Sequence, residues 1–205
     1  KIFSVLIQDI WPFSEFIIVL AGIMISDFYA LRGGFSSIVR TDKLQFVLMF
    51  AGFSMMLWNL VSNYGGYDFL MEHTPPQLFE IPGNFPWTTV FAWGFIAMVT
   101  FIDPGFFQRS FAGMDLKTVK SGIRISILFW IIFDFMTVIT GIYAAALLPE
   151  VQSSPYLDLA KLVLSPLAQT FFIISLLAIV MSTIDSFTFI SAYTIGMDLT
   201  KILRP

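Results

Sequence analysis

The sequence predicts an all-α membrane protein, and three observations carry that reading. Hydrophobic residues make up 57% of the 205 and charged residues only 12%, where a soluble domain carries about 25% charged. The apolar residues gather into five runs long enough to cross a bilayer, since about 20 residues at 1.5 Å rise span about 30 Å of hydrocarbon. The basic residues fall almost entirely in alternate connections between those runs.

The first two spans are expected over Phe13–Leu31 and Leu44–Val61, joined by residues 32–43 with Arg32, Arg40 and Lys43. Glu15 and Asp27 fall near span ends, where a carboxylate reaches the interface or caps a helix. NYGGYDFLMEHTPPQLFEIPGNFPW, Asn63 to Trp87, is punctuated by Gly and Pro and reads as a loop with interfacial aromatic residues. The third span, Trp87–Phe107, ends in TFIDPGFFQR. Pro104 has no N–H and leaves the Thr100 carbonyl without its helical donor, while Gly105 loosens the same turn. Such a break either lines a cavity, with Asp103 in it, or ends the helix as an Asp-Pro-Gly turn. The fourth span, Ile123–Leu148, places Asp134 amid FWIIFDFMTV near the bilayer middle. PEVQSSPYLDLAKLVLSP, Pro149 to Pro166, carries apolar residues at helical spacing opposite Asp158 and Lys161 and predicts a surface helix over about 155–165. The fifth span is expected over Leu167–Ile190.

Residues 32–43, 108–124 and 191–205 hold nine of the eleven Lys and Arg, leaving only Lys1 and Lys161 for the other side. By the positive-inside rule those three connections are cytoplasmic, so odd-numbered spans run from outside to inside. KIFSVLIQD begins without Met and KILRP breaks off after an apolar segment. The chain is therefore read as an internal piece of a longer polypeptide. Its net charge of −3 is spread without a basic stripe, which argues against nucleic acid as a partner. The absence of Cys removes disulfides, thiolate metal sites and Cys nucleophiles. His73 has no second His for a metal site, and no catalytic constellation stands out, so an enzyme is not expected.

The polar residues of the fifth span raise the functional question. Ionisable groups in hydrocarbon are costly and usually face a cavity, a partner or an ion. In IVMSTIDSFTFIS, Ile179 to Ser191, helical spacing puts Ser182, Asp185 and Ser186 on one stripe, widened by Thr183. The Ile179 carbonyl lies one turn before the hydroxyls of Ser182 and Thr183, so three uncharged oxygens can converge. Hard cations take oxygen ligands, and Na⁺ needs little formal charge to be held. The competing reading has Ser and Thr bonding back to carbonyls one turn earlier.

Three segments together resemble the sodium:solute symporter family of proline, sugar and iodide cotransporters. DFYALRGGFSSIVRTDKLQ, Asp27 to Gln45, looks like its Y-x-x-x-G-G-x-x-x-V-x-x-T-D-x-x-Q signature. FFQRSFAGMDLKTVKSG, Phe106 to Gly122, resembles its Q-R inner connection, and AIVMSTIDSFTFISAYTIGMDL, Ala178 to Leu199, its S-T-x-D-S helix. The resemblance implies a LeuT-like fold of two inverted repeats, of which this chain would hold core helices 4 to 8. It implies Na⁺ as coupling ion, with the Ile179 carbonyl and the Ser182 and Thr183 hydroxyls as ligands, the rest coming from a first core helix elsewhere in the polypeptide. Asp42 matches the acidic residue linked to ion release, so Asp42, Asp185 and Ser186 become candidates for an ion pathway. Asp103, Trp130 and Asp134 become candidates for the substrate cavity. Trp130 stands where sugar transporters have a Lys, and Asp134 where they are apolar, which argues against a sugar.

The expected activity is therefore Na⁺-coupled symport of a small polar solute across a lipid bilayer by alternating access, with no organic cofactor. Two alternatives are a transporter-like sensory module fused to a signalling domain and a passive or structural membrane domain.

Overall fold

The computed structural model describes residue 7, residues 13–150 and residues 154–203. The described residues that take regular structure are helical, and four stretches are long and apolar enough to cross a membrane: Glu15–Tyr64, Trp87–Phe111, Leu116–Leu147 and Pro166–Leu199.

Helix α1, Glu15–Tyr64, contains both of the first two expected spans. The expected connection over 32–43 is not a loop, because helical backbone runs through it except at Gly34, with φ 56° and ψ −150°. Only glycine adopts such angles readily, so one residue takes the place of a connecting loop. A straight helix would hold Tyr29 and Thr41 about 18 Å apart, yet the Tyr29 hydroxyl lies beside the Thr41 side chain. The break therefore swings the two arms toward one another.

The stretch expected as loop holds a short helix, α2, Tyr67–His73, and a 3₁₀ turn at Pro76–Phe79. Helix α3, Trp87–Ala97, gives way to a 3₁₀ turn over Met98–Phe101 before α4, Pro104–Phe111, begins. The third span is thus broken where Pro104 withdraws its N–H. Pro104 suits the first turn of α4, where its missing donor costs nothing, and the Asp103 carboxylate caps that turn by accepting from Gly105 N at 2.7 Å. Asp115 does the same for α5, Leu116–Leu147, accepting from Thr118 N at 2.7 Å. Those hydrogen bonds hold the Asp115 carboxyl below the usual carboxylate range. Helix α6, Pro155–Val163, leads into α7, Pro166–Tyr193, which continues as a π-helical turn over Thr194–Leu199 and then α8, Thr200–Leu203.

The second arm of α1 and the facing part of α7 form the central pair. Apolar burial alone gives little reason for helices to associate within lipid, so close packing and small residues matter more. Gly52 supplies the close approach: a Cβ there would lie 2.3 Å from Ser175 Cβ, so α1 and α7 meet at this depth only because glycine has none. Phe53, buried beside it, makes edge contacts with Phe133, Tyr156 and Phe172 at ring separations of 5.1, 5.5 and 5.2 Å. Helix α6 is less superficial than expected, since Leu157, Leu159 and Ala160 are all buried against this cluster. It covers one end of the α1–α7 pair, where the Tyr143 hydroxyl donates to the Gly65 carbonyl and the Tyr156 hydroxyl to the Thr137 carbonyl.

Candidate functional site

At the other end the same two helices meet through polar groups. On α1, Asp42 and Gln45 stand at i and i+3, and on α7, Ser182, Asp185 and Ser186 repeat that spacing with one more step, so two polar stripes face each other. The Ser182 hydroxyl donates to Asp42 Oδ1 at 3.0 Å, and Gln45 Nε2 donates to Asp185 Oδ2 at 3.2 Å. Arg109, projecting from α4, donates from Nη2 to Asp42 Oδ2 at 3.1 Å and to Ser186 Oγ at 2.8 Å. Ser186 in turn donates to the Ser182 carbonyl at 2.9 Å. Three helices are joined in one network.

Asp185 is fully buried, and its Oδ1 has no hydrogen-bond partner. Tyr29 Oη and Gln45 Oε1 are likewise buried without one, and Tyr29 comes from the first arm of α1 to lie beside Asp185, Ser26 and Thr41. A buried polar atom left unpaired is costly, so oxygens crowd here beyond what the described side chains satisfy.

The oxygens expected to hold Na⁺ lie on the adjoining face of α7. The Thr183 hydroxyl donates to the Ile179 carbonyl at 3.2 Å, which is the back-bond of the competing reading and also brings these two oxygens together. Thr183 is exposed on a side that the described helices leave open, while Ser182 is half-buried and turned toward Asp42 of α1. The donor set of one carbonyl and two hydroxyls is hard and uncharged, which fits Na⁺.

The residues expected to line a substrate cavity are less gathered. Trp130 packs edge-on against Phe106 at 5.7 Å, tying α5 to α4. Asp103 begins α4 with one oxygen engaged in the cap. Asp134 lies exposed on α5 between Ile131 and Phe135, one turn from Trp130. Phe106 is the link between Asp103 and Trp130, and Asp134 adjoins them only along α5. A separate cleft of about 520 Å³ opens at the polar end, lined by Phe35, Pro104, Gln108, Phe189, Tyr193 and Asp198.

Sequence reasoning passed over Tyr29, Gln45 and Arg109 as site residues. Each lies within a segment that carried the family resemblance: Tyr29 and Gln45 are the first and last residues of the signature in the first, and Arg109 is the Arg of the Q-R pair. Their signal was present, but Arg109 was weighed only for its sign in orienting the chain.

The sequence model of the sodium:solute symporter family matches residues 4–205. The chain belongs to the sodium:solute symporter family. It is similar to the high-affinity proline transporter PutP of Bacillus subtilis (strain 168), with 27% identity over 200 residues covering 89% of this chain. That alignment takes in 40% of the relative, so the chain spans about two fifths of its length. No solved structure matches. Family membership and several long apolar helices make this a multi-pass membrane protein of a transporter family.

Proposed function

We propose that the chain forms part of a Na⁺-coupled symporter for a small polar solute, working by alternating access. Its two arms of α1, broken α3–α4, α5 and α7 would be five crossing segments, core helices 4 to 8 of a LeuT-like fold, with the basic connections on the cytoplasmic side. The first core helix, elsewhere in the polypeptide, would complete the ion site on the open face of α7. The observation that supports the reading is the meeting of the Thr183 hydroxyl with the Ile179 carbonyl, beside a Ser182 hydroxyl that is bonded to the Asp42 carboxylate.

Here Na⁺ is cargo, and its charge is accommodated by neutral oxygens with a carboxylate close by. Asp42, Asp185 and Ser186 would line its route, and Asp103, Trp130 and Asp134 would face the solute from α4 and α5. Carboxylates at 103 and 134 favour an amine-bearing or cationic solute over an anion by Coulomb complementarity. In the full-length protein, Ser182→Ala/Thr183→Ala leaves the Ile179 carbonyl as this helix's only ligand. Solute binding titrated against Na⁺ should then show a raised Na⁺ midpoint, within the 5–150-fold expected of a coupling of about 1–3 kcal/mol, and should recover at saturating Na⁺. An unshifted midpoint with merely reduced expression would mean that the hydroxyls only pack.

A further inference from the structure

The Arg109 side chain joins the proposed ion route to the break in the third span, on the helix whose Pro104 and Gln108 line the polar-end cleft. Its Nη2 bridges Asp42 Oδ2 and Ser186 Oγ, its Nη1 reaches back to the Gly105 carbonyl at 3.4 Å, and Asp42's other oxygen accepts from Ser182. One carboxylate is therefore shared between a proposed Na⁺ ligand and a guanidinium. Arginine stays protonated at any physiological pH, so the guanidinium keeps its charge throughout and another cation near Asp42 must compete with it. The pair is also loose enough to exchange, because the two side chains are 38% and 22% exposed and ion pairs open to water are weak and screened. Helix α4 leans on α7 through Gly105, where an added Cβ would lie 3.2 Å from Ile190 Cδ1. Pro104 and Gln108 of the same helix, with Phe189 and Tyr193 of α7, line the cleft.

We propose that Arg109 is a tethered cation that competes with Na⁺ for Asp42 and Ser186, so that ion release and latching of α4 onto α1 and α7 are one exchange of positive charges. With the ion gone, the guanidinium fills the carboxylate and draws α4 against α7. With an ion near Asp42, Arg109 is displaced, and α4 loses its polar tie to α1 and α7 while keeping the contact of Gly105 with Ile190. The proposal rests on the symport reading, and it predicts that removing a positive charge improves Na⁺ binding.

The test uses the full-length protein in membrane vesicles, with native cysteines replaced and Thr194→Cys as a reporter in the cleft. Arg109→Gln should lower the Na⁺ midpoint of solute binding by about 2- to 5-fold, the range of one exposed ion pair. Arg109→Lys, which keeps the charge and loses the fork, should fall between. Without Na⁺, maleimide should label the reporter faster in Arg109→Gln than in the parent, and Asp42→Asn, which frees the guanidinium, should do the same. In the Asp42→Asn background Arg109→Gln should add nothing, since groups acting as a pair are non-additive. An unchanged or raised Na⁺ midpoint in Arg109→Gln overturns the proposal, as does an undiminished labelling effect in the Asp42→Asn background. If the parent binds solute without regard to Na⁺, the symport reading falls instead, and equal labelling of Arg109→Gln and parent then removes the latch as well. If Arg109→Gln does not reach the membrane, Arg109→Lys and Asp42→Asn carry both readouts, and parental values in both overturn the proposal.

Discussion

Phe53 and Asp42 stand about three turns apart on one arm of α1, and the two ends of that arm are joined to α7 in different ways. Around Phe53 the join is steric: rings packed edge to face, a glycine that lets backbones close, and α6 covering the end. Around Asp42 it is a set of hydrogen bonds and an ion pair, each of which an ion or water could replace. Packing offers no substitute partner, because a displaced ring leaves only a void. A polar contact is exchangeable by nature. The difference places the contacts that are hard to exchange at the packed end of the α1–α7 pair and the exchangeable ones at the polar end.

The largest effect should come from breaking the packed end. Gly52→Val forces a branched side chain into the space held by Ser175 Cβ and Oγ. Overpacking costs about 1–3 kcal/mol, and Val, branched at Cβ, should reach at least the top of that range. A thermal melt of purified protein in detergent should show a lower midpoint for Gly52→Val at every Na⁺ concentration. If the loss instead disappears as Na⁺ rises, the two ends are not separate in the way described.

Tyr143→Phe is a milder probe of the same end. It keeps the ring in the cluster and deletes only the hydroxyl that donates to the Gly65 carbonyl. The expected cost is about 1 kcal/mol in the same melt, with the Na⁺ midpoint unchanged. A shifted midpoint would show that this clamp takes part in the ion-linked motion.

The contrast also explains what the sequence could and could not disclose. Span composition, the break before Pro104 and the hydroxyl stripe of α7 are local properties, written in runs, periods and the chemistry of proline. Gly34 escaped because a single glycine can reverse the chain's course without the polar loop that sequence reasoning looks for, and the neighbouring Arg32, Arg40 and Lys43 made a loop plausible. Helix α2 escaped because seven residues between glycines and prolines carry too little pattern. The burial of α6 depends on which face finds Phe53 and Phe172, a long-range fact. Arg109 is the sharpest case: its partners Asp42 and Ser186 lie 67 and 77 residues away in sequence, so only the folded chain shows that a residue notable in sequence for its charge also joins α4 to α1 and α7.

The smallest effect separates the two roles open to Asp103. Its Oδ1 caps α4 by accepting from Gly105 N, and asparagine caps helices about as well as aspartate. Asp103→Asn should therefore leave the melting midpoint within the change expected for about 0.5 kcal/mol, the usual limit for substitutions that break no packing or buried bond. The charge is lost while the shape and the cap remain. If the carboxylate also faces the solute, affinity for an amine-bearing solute should fall while affinity for a neutral analogue is kept, measured as competition in the same binding assay. Equal change for charged and neutral solutes, or none for either, would reduce Asp103 to the capping residue of a broken helix. The charge complementarity would then have to come from Asp134, exposed on the neighbouring wall one turn beyond Trp130.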